Sequence, residues 1–386
     1  MVLFYGLDFR WDNIPHSCNL PNHVPLRPVN LDDSILGQAL PWNLYTVSGV
    51  LVAGAGMVIG TPDQLLKLRA RPVFRKTEGD TEDANFYQRL HKLMRDFPAV
   101  FKLAGTERLE PSIRLAAHEI CALAHQDHDA CLGLMRLLPM PNPAARHCLL
   151  TALVSLEMAR QLLPPEDPLI DTVVCAALTM NIAAMRLHTE LSDRASFVDD
   201  AQRDSIARHP QDSVKLLEAS GLKDRDWLNA VGQHHENMDG SGYPQGLRGE
   251  DISKGARIIR IADFYVAKIR GRRYRPALST QSAFKHIFGE ERVRLDSHIA
   301  LLLLRRSGQY PPGTLLRLAN REIAVVMRKQ GSGDTPGNVL SFMGPSGRLL
   351  KYPTERNTAQ SNYACLNVVE VEPRWPEIRW EAFWGY

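Results

Sequence analysis

The order of apolar and polar positions divides the chain into three kinds of text. Residues 1–30 are rich in Pro, Asn and His and read as an irregular arm. From Ala39 to Ile59 the apolar runs LPWNLYTV and VLVAGAGMVI are split by a Ser-Gly turn and further glycines, the punctuation of short strands. Thr61-Pro62-Asp63-Gln64 then opens a helix. Thr61 suits the N-cap, and Pro62 suits the first helical position, where its missing N–H costs nothing. Residues 31–76 are therefore expected to form a small β-rich module with one helix, and the acidic stretch TEGDTEDA, 77–84, a linker.

Beyond Asn85 the period changes. In HCLLTALVSLEMARQLL (147–163) apolar residues recur at three- and four-residue steps, as an amphipathic helix requires. The segments 112–137, 168–188, 200–219, 225–235, 256–270 and 295–307 behave alike, with Pro/Gly/Asp-rich turns between them. Residues 85–308 thus predict a mainly helical bundle. After Gly308 the text alternates again and gains β-branched residues, so 309–386 is expected to be a second small β-rich module. Its tail, PRWPEIRWEAFWGY, holds three of the six Trp and reads either as packed on the body or as an exposed docking segment. The expected fold class is mainly α, a helical bundle flanked by β modules.

Composition adds bounds. At about 150 residues per domain, 386 residues make two or three domains. A 44% hydrophobic and 23% charged chain is globular, and a net charge of +3 gives no argument for DNA or an anionic membrane. The N-terminus lacks the basic and apolar regions of a secretory signal. The apolar run Val47–Ile59 is glycine-punctuated and shorter than the roughly 20 residues a span needs. None of the six cysteines forms a CxxC pair, which suits free thiols in a reducing compartment. The expectation is a cytoplasmic protein with no membrane span.

The chemistry concentrates in His234-His235-Glu236-Asn237-Met238-Asp239-Gly240-Ser241-Gly242-Tyr243-Pro244. Adjacent histidines can both reach one metal where a helix ends, and the glycines allow close backbone approach. The stretch fits HHExxDGxGYP and so resembles the HD-GYP family of bacterial metal-dependent phosphodiesterases that cleave cyclic di-GMP. The resemblance covers about half the chain. It implies metal ligands at His147, His209, His234, His235 and Asp263, a donor set that suits iron, manganese or zinc. It also implies phosphate or nucleotide contacts from Arg272, Arg275, Tyr243 and Gly242, and places His209-Pro210 at a helix start.

Where the family carries its His-Asp pair and a nearby lysine, this chain has Met180, Asn181 and Ala184 within AALTMNIAAMRLH. Asn offers a neutral oxygen and cannot bridge two metals as a carboxylate does. Met is a soft donor unsuited to iron or manganese, and Ala184 removes a cation. His209, His234 and His235 survive together as a three-histidine face. The expectation is at most one weakly held divalent metal, or none, and impaired catalysis. The chain would then act by binding cyclic di-GMP or a related dinucleotide, or a signalling protein docked on the GYP surface. The alternatives are an active phosphodiesterase with a rearranged mononuclear site and a structural pseudoenzyme. The tract His125–His128 reads as a solvated turn at a helix end.

Overall fold

A computed structural model describes residues 26–29, 31, 33–41, 44–45, 51–54, 56–69, 73–76, 85–193, 199–269, 280–289, 291–329 and 335–386. The expected linker at 77–84 and the basic run at Arg272 and Arg275 lie outside the described residues. The chain divides into two compact units. One comprises residues 1–87, 348–353 and 376–386, and the other comprises 88–347 and 354–375.

In the first unit, β1 (Leu26–Pro28), β2 (Leu44–Tyr45), β3 (Leu51–Ala53) and β4 (Phe74–Lys76) form one sheet in the order β1-β4-β2-β3. Helix α1 (Pro62–Arg69) starts where Thr61 Oγ1 accepts from Gln64 N. Leu31, Leu40, Leu44, Ile59, Leu65 and Val73 make the core of this unit. At the C-terminal tail, Trp380 and Trp384 are buried, and the Tyr386 ring stacks on Phe86 at 4.4 Å.

The second unit is the helical bundle. Its helices are α2 (Phe86–Val100), α3 (Leu109–Leu137), α4 (Pro143–Leu162), α5 (Leu169–Thr179), α6 (Met185–Asp193), α7 (Asp200–Ala219), α8 (Arg225–Gly232), α9 (Lys254–Ile269), α10 (Thr280–Phe288) and α11 (Ser297–Ser307). Helix α4 is apolar nearly all round, and this places it at the centre, packed on α3, α5, α6, α9 and α11. Asn142 caps it by accepting from Ala145 N, with Pro143 as its first residue. The C-terminal strands β5 (Leu315–Leu318), β6 (Ile323–Val325), β7 (Asn338–Met343), β8 (Leu349–Asn357) and β9 (Cys365–Val369) form a five-stranded sheet in the order β8-β7-β6-β5-β9, and a short helix, α12 (Trp380–Phe383), follows. The fold is thus the mainly helical bundle that the periodicity predicts, with a C-terminal antiparallel sheet.

Three local readings change. The stretch 168–188 is not one helix. The Thr179 hydroxyl bonds back to Cys175 O and Ala176 O, which bends helices, and Asn181 leaves the helical region at φ −108°, ψ 16°. A 3-10 turn at Ile182–Ala184 then redirects the chain into α6. Leu169–Leu191 is long and apolar enough to cross a membrane, but 72% of its most apolar window is buried within the protein. The His125–His128 tract does lie at a helix break: Asp127 is extended at φ −158°, ψ 88° and accepts from Ala130 N to open the second half of α3, but His128 is half-buried rather than solvated, its Nε2 3.1 Å from Glu157 of α4. His209-Pro210 sits inside α7, which starts at Asp200 behind a capping box formed by Asp199 and Gln202.

Candidate metal centre

Four elements of the bundle meet at a cluster of imidazoles. Helix α7 supplies His209, and the turn after α8 supplies His234 and His235. Helix α8 starts at the Asp224 cap and stops at Gly232, so the backbone is free to turn both rings the same way. The ligand nitrogens of the three residues lie within 4.8 Å of one another. The ring centroids stand 5.1 Å apart for His209–His234, 5.0 Å for His209–His235 and 4.2 Å for His234–His235.

Second contacts fix the tautomers. His209 Nδ1 lies 2.6 Å from Ile206 O, and His234 Nδ1 lies 2.6 Å from Val231 O. A carbonyl only accepts, so each Nδ1 carries the proton and each Nε2 presents a lone pair. Those two Nε2 atoms face each other at 3.2 Å. With both imidazoles neutral, neither nitrogen has a hydrogen to offer the other, and the pair needs a positive charge between them. Burial lowers the pKa of all three imidazoles, and their mutual repulsion lowers those of His234 and His235 further, taking His234 to about 3. The triad is therefore neutral and basic at physiological pH, the state a metal requires. Three histidines held this way fit a divalent cation.

On the other side, His147 Nε2 of α4 lies 2.6 Å from Asp263 Oδ1 of α9. Burial alone would raise the Asp263 carboxyl. The hydrogen bond and charge of His147 outweigh it and hold the group well below the usual carboxylate range. The structure thus brings the five proposed ligands into one region. It adds a sixth residue that sequence reasoning missed: the His188 ring of α6 stands 6.4 Å from His147 and 6.1 Å from His209. His188 closes the stretch AALTMNIAAMRLH, and only the break after Thr179 turns it toward the cluster. A straight helix over 168–188 hides that.

Met180, Asn181 and Ala184 are 0%, 2% and 2% exposed. Asn181 Oδ1 is buried with no hydrogen-bond partner. Thr179 Oγ1 accepts from Trp227 Nε1 at 2.8 Å, which ties this turn to α8.

The GYP loop is folded largely by its own residues acting on one another. The Glu236 carboxylate, 1% exposed, accepts from Gln245 N at 2.6 Å and Leu247 N at 3.0 Å. Asn237 donates to Ser241 Oγ and accepts from Arg260 Nε and Nη2, both at 3.1 Å. At Gly242, a Cβ would meet Asn237 N at 2.3 Å and Glu236 Cα at 2.5 Å. The Tyr243 ring stacks on His235 at 4.8 Å, and burial pushes its phenol pKa upward. Arg260, three residues before Asp263, is a cation beside the site that the sequence reading did not single out.

Nucleophilic cysteine chemistry has no support. The five cysteines among the described residues are free thiols, and burial pushes Cys121 up to about 11 and Cys175 to about 12.

Residues 134–299, which contain the histidine cluster, match the sequence profile of the HD domain. The relatives then narrow the setting. A cyclic di-GMP phosphodiesterase of Pseudomonas aeruginosa is 28% identical over 213 residues, 55% of this chain and 51% of that one. A 3'3'-cGAMP-specific phosphodiesterase of Vibrio cholerae is 35% identical over 130 residues, 32% of this chain and 30% of that one. A cyclic di-GMP phosphodiesterase response regulator of Xanthomonas campestris is 36% identical over 109 residues, 27% of this chain and 28% of that one. The chain spans about half the length of the first relative and less of the other two. In fold, it is similar to an HDG"Y"P protein from Bdellovibrio bacteriovorus, with a TM-score of 0.50 at 15% identity, covering 72% of this chain and 98% of that one.

Proposed function

We propose that this chain is an HD-GYP-type protein of cyclic dinucleotide signalling that binds cyclic di-GMP or a related dinucleotide at a histidine-held divalent cation. Its hydrolytic capacity is impaired. The observation that carries the reading is the pair of His209 and His234 Nε2 lone pairs facing at 3.2 Å. When bound, such a cation supplies Lewis-acid charge to a phosphoryl oxygen and lowers the pKa of a coordinated water. His209, His234 and His235 hold it, and the Tyr243 stack fixes the ring of His235. Arg260 sits at the rim with a charge of the sign that phosphates need. Arg272 and Arg275 are proposed to grip the phosphates, since guanidinium forks match phosphate oxygens.

The impairment rests on chemistry at one turn. Met180, Asn181 and Ala184 supply no imidazole, carboxylate or ammonium, and all three are buried. Transition-state charge on both attacking and leaving oxygens then lacks the stabilisation that a second, bridged metal gives. Ground-state binding does not depend on that bridge.

The test is metal analysis of the purified protein beside calorimetry and hydrolysis assays with cyclic di-GMP and 3'3'-cGAMP. We expect a divalent cation retained on the triad, salt-sensitive dinucleotide binding, and turnover far below ~1 s⁻¹, the low end of ordinary enzyme rates. Changing Arg272 and Arg275 together to Ala should weaken binding by about tenfold or more, at roughly 1.5–3 kcal/mol per charge-assisted hydrogen bond. Turnover at ordinary enzyme rates would overturn the impairment. Absence of binding at low salt would overturn the nucleotide reading and favour docking of a protein on the GYP surface.

A further inference from the structure

Arg260 is a half-buried cation with no carboxylate partner among the described residues. Its Nε and Nη2 both donate to a neutral acceptor, Asn237 Oδ1, at 3.1 Å, and its Cζ stands 5.8 Å from the centre of the Phe264 ring. The Asn237 carbonyl is itself aimed. Asn237 Nδ2 donates to Ser241 Oγ at 3.0 Å, and Ser241 Oγ donates to Asp239 Oδ1 at 2.6 Å. The donors of this chain all run one way, from Arg260 through Asn237 and Ser241 to the Asp239 carboxylate, an order in which each bond polarises the next. A guanidinium carries five N–H donors. Asn237 takes two of them from the Nε side, and no described residue engages Nη1. The end-on pair, one hydrogen on Nη1 and one on Nη2, is the fork that matches two oxygens of one phosphate. This fork lies beside the triad. Asn237 is two residues past His235, and Arg260 is one turn before Asp263 on the same face of α9. The Arg260 charge is one of those that lower the pKa values of His234 and His235.

We propose that Arg260 is a phosphate-binding residue of this centre, positioned by the Asn237–Ser241–Asp239 chain so that its open fork takes two oxygens of a dinucleotide phosphate held on the triad cation. The turn at Met180–Ala184 offers that phosphate no cation, so the charge comes from the side of the GYP loop. Asn237 is the positioning residue: it spends the Nε edge of the guanidinium and leaves the other edge for the ligand. The assignment rests on reading the site as a dinucleotide site.

The test is calorimetry with cyclic di-GMP on the metal-loaded full chain at low and moderate salt, with metal content measured on the same samples. Arg260→Ala is expected to keep its metal and to bind about tenfold more weakly or worse, the loss of charge-assisted hydrogen bonds, with a shallower salt dependence. Arg260→Lys should recover part of the affinity, since it returns the charge without the fork. Asn237→Asp separates binding from bracing. It keeps an acceptor for Arg260 and adds a negative charge, so a brace is strengthened while the pull on phosphate is neutralised. The expected result is retained metal with affinity reduced by about tenfold. Undiminished binding by Arg260→Ala or by Asn237→Asp overturns the proposal. So does an Arg260→Ala protein that loses metal together with binding, because Arg260 then holds the loop and not the ligand. If circular dichroism finds Arg260→Ala unfolded, Arg260→Lys and Asn237→Asp carry the decision. A wild type that binds no cyclic di-GMP at low salt ends the dinucleotide reading, and this assignment with it.

Discussion

At the scale of single residues, the GYP tract acts first on itself. Gly242 has no alternative: any side chain would overlap the backbone of Glu236 and Asn237. Gly242→Ala is therefore expected to move the Glu236–Asn237 backbone and, through it, His235. The expected outcome is a destabilisation of about 1–3 kcal/mol, the usual range for forced overpacking, together with a loss of retained metal. Denaturant unfolding and metal content, measured on the same preparation, check it. An alanine variant with wild-type stability and metal would show that the loop does not hold the histidines. The sequence made the glycine legible as a site of close approach. It could not show that the approaching partner is the loop's own backbone, because that depends on a contact six residues back in the chain.

At the scale of elements, the break between α5 and α6 decides what the centre holds. It buries Met180, Asn181 and Ala184 in the core and delivers His188 to the cluster. A repair by Met180→His with Asn181→Asp should raise metal occupancy, since the ligands around it are in place. Adding Ala184→Lys should not help. Ala184 is 2% exposed, and an ammonium there must be desolvated without a carboxylate partner, at a cost of several kcal/mol. The double variant is expected to hold more metal than wild type, and the triple variant to unfold at lower denaturant. Equal stability of the two would mean that Ala184 opens onto water or phosphate. Helical period made α4, α7, α8, α9 and α11 legible to within a few residues. The break itself was not, because it comes from a Thr hydroxyl bonding backwards and from an indole that reaches it from α8. Neither leaves a Gly or Pro in the sequence to mark it. Pro210 misled in the opposite direction: a helix ten residues into its course absorbed it.

At the scale of the whole molecule, the centre costs stability when it is empty. The three imidazoles of the triad have lowered pKa values in the folded protein, all through burial, and His234 and His235 also through neighbouring imidazoles. In the unfolded chain they titrate near 6.5. As pH falls below about 6.5 the unfolded state takes up protons that the folded state refuses, so stability is present above that pH and is lost as pH falls toward the folded value, about 3 for His234. Between pH 6.5 and 5 carboxylates are ionised in both states, so this window isolates the imidazoles. Metal-free protein should lose as much as about 1.4 kcal/mol per pH unit for each buried imidazole there. Chemical denaturation at several pH values reads the slope, and His209→Ala should flatten it. A pH-independent stability over this range would mean that the rings are reachable by protons when the metal is absent.

The self-contained loop bears on how such chains diverge. Glu236 satisfies backbone donors, Gly242 clears a crossing and Tyr243 braces a ring, so these three residues serve the folding of the loop itself. Selection for a folded loop would keep the tract in a lineage that had stopped hydrolysing anything. The turn at Met180–Ala184 has no comparable network of its own: Met180 and Ala184 only fill space, and the Asn181 side-chain oxygen makes no hydrogen bond. A GYP tract is thus a record of shared architecture, and the memory of the chemistry is kept, or lost, some fifty residues earlier.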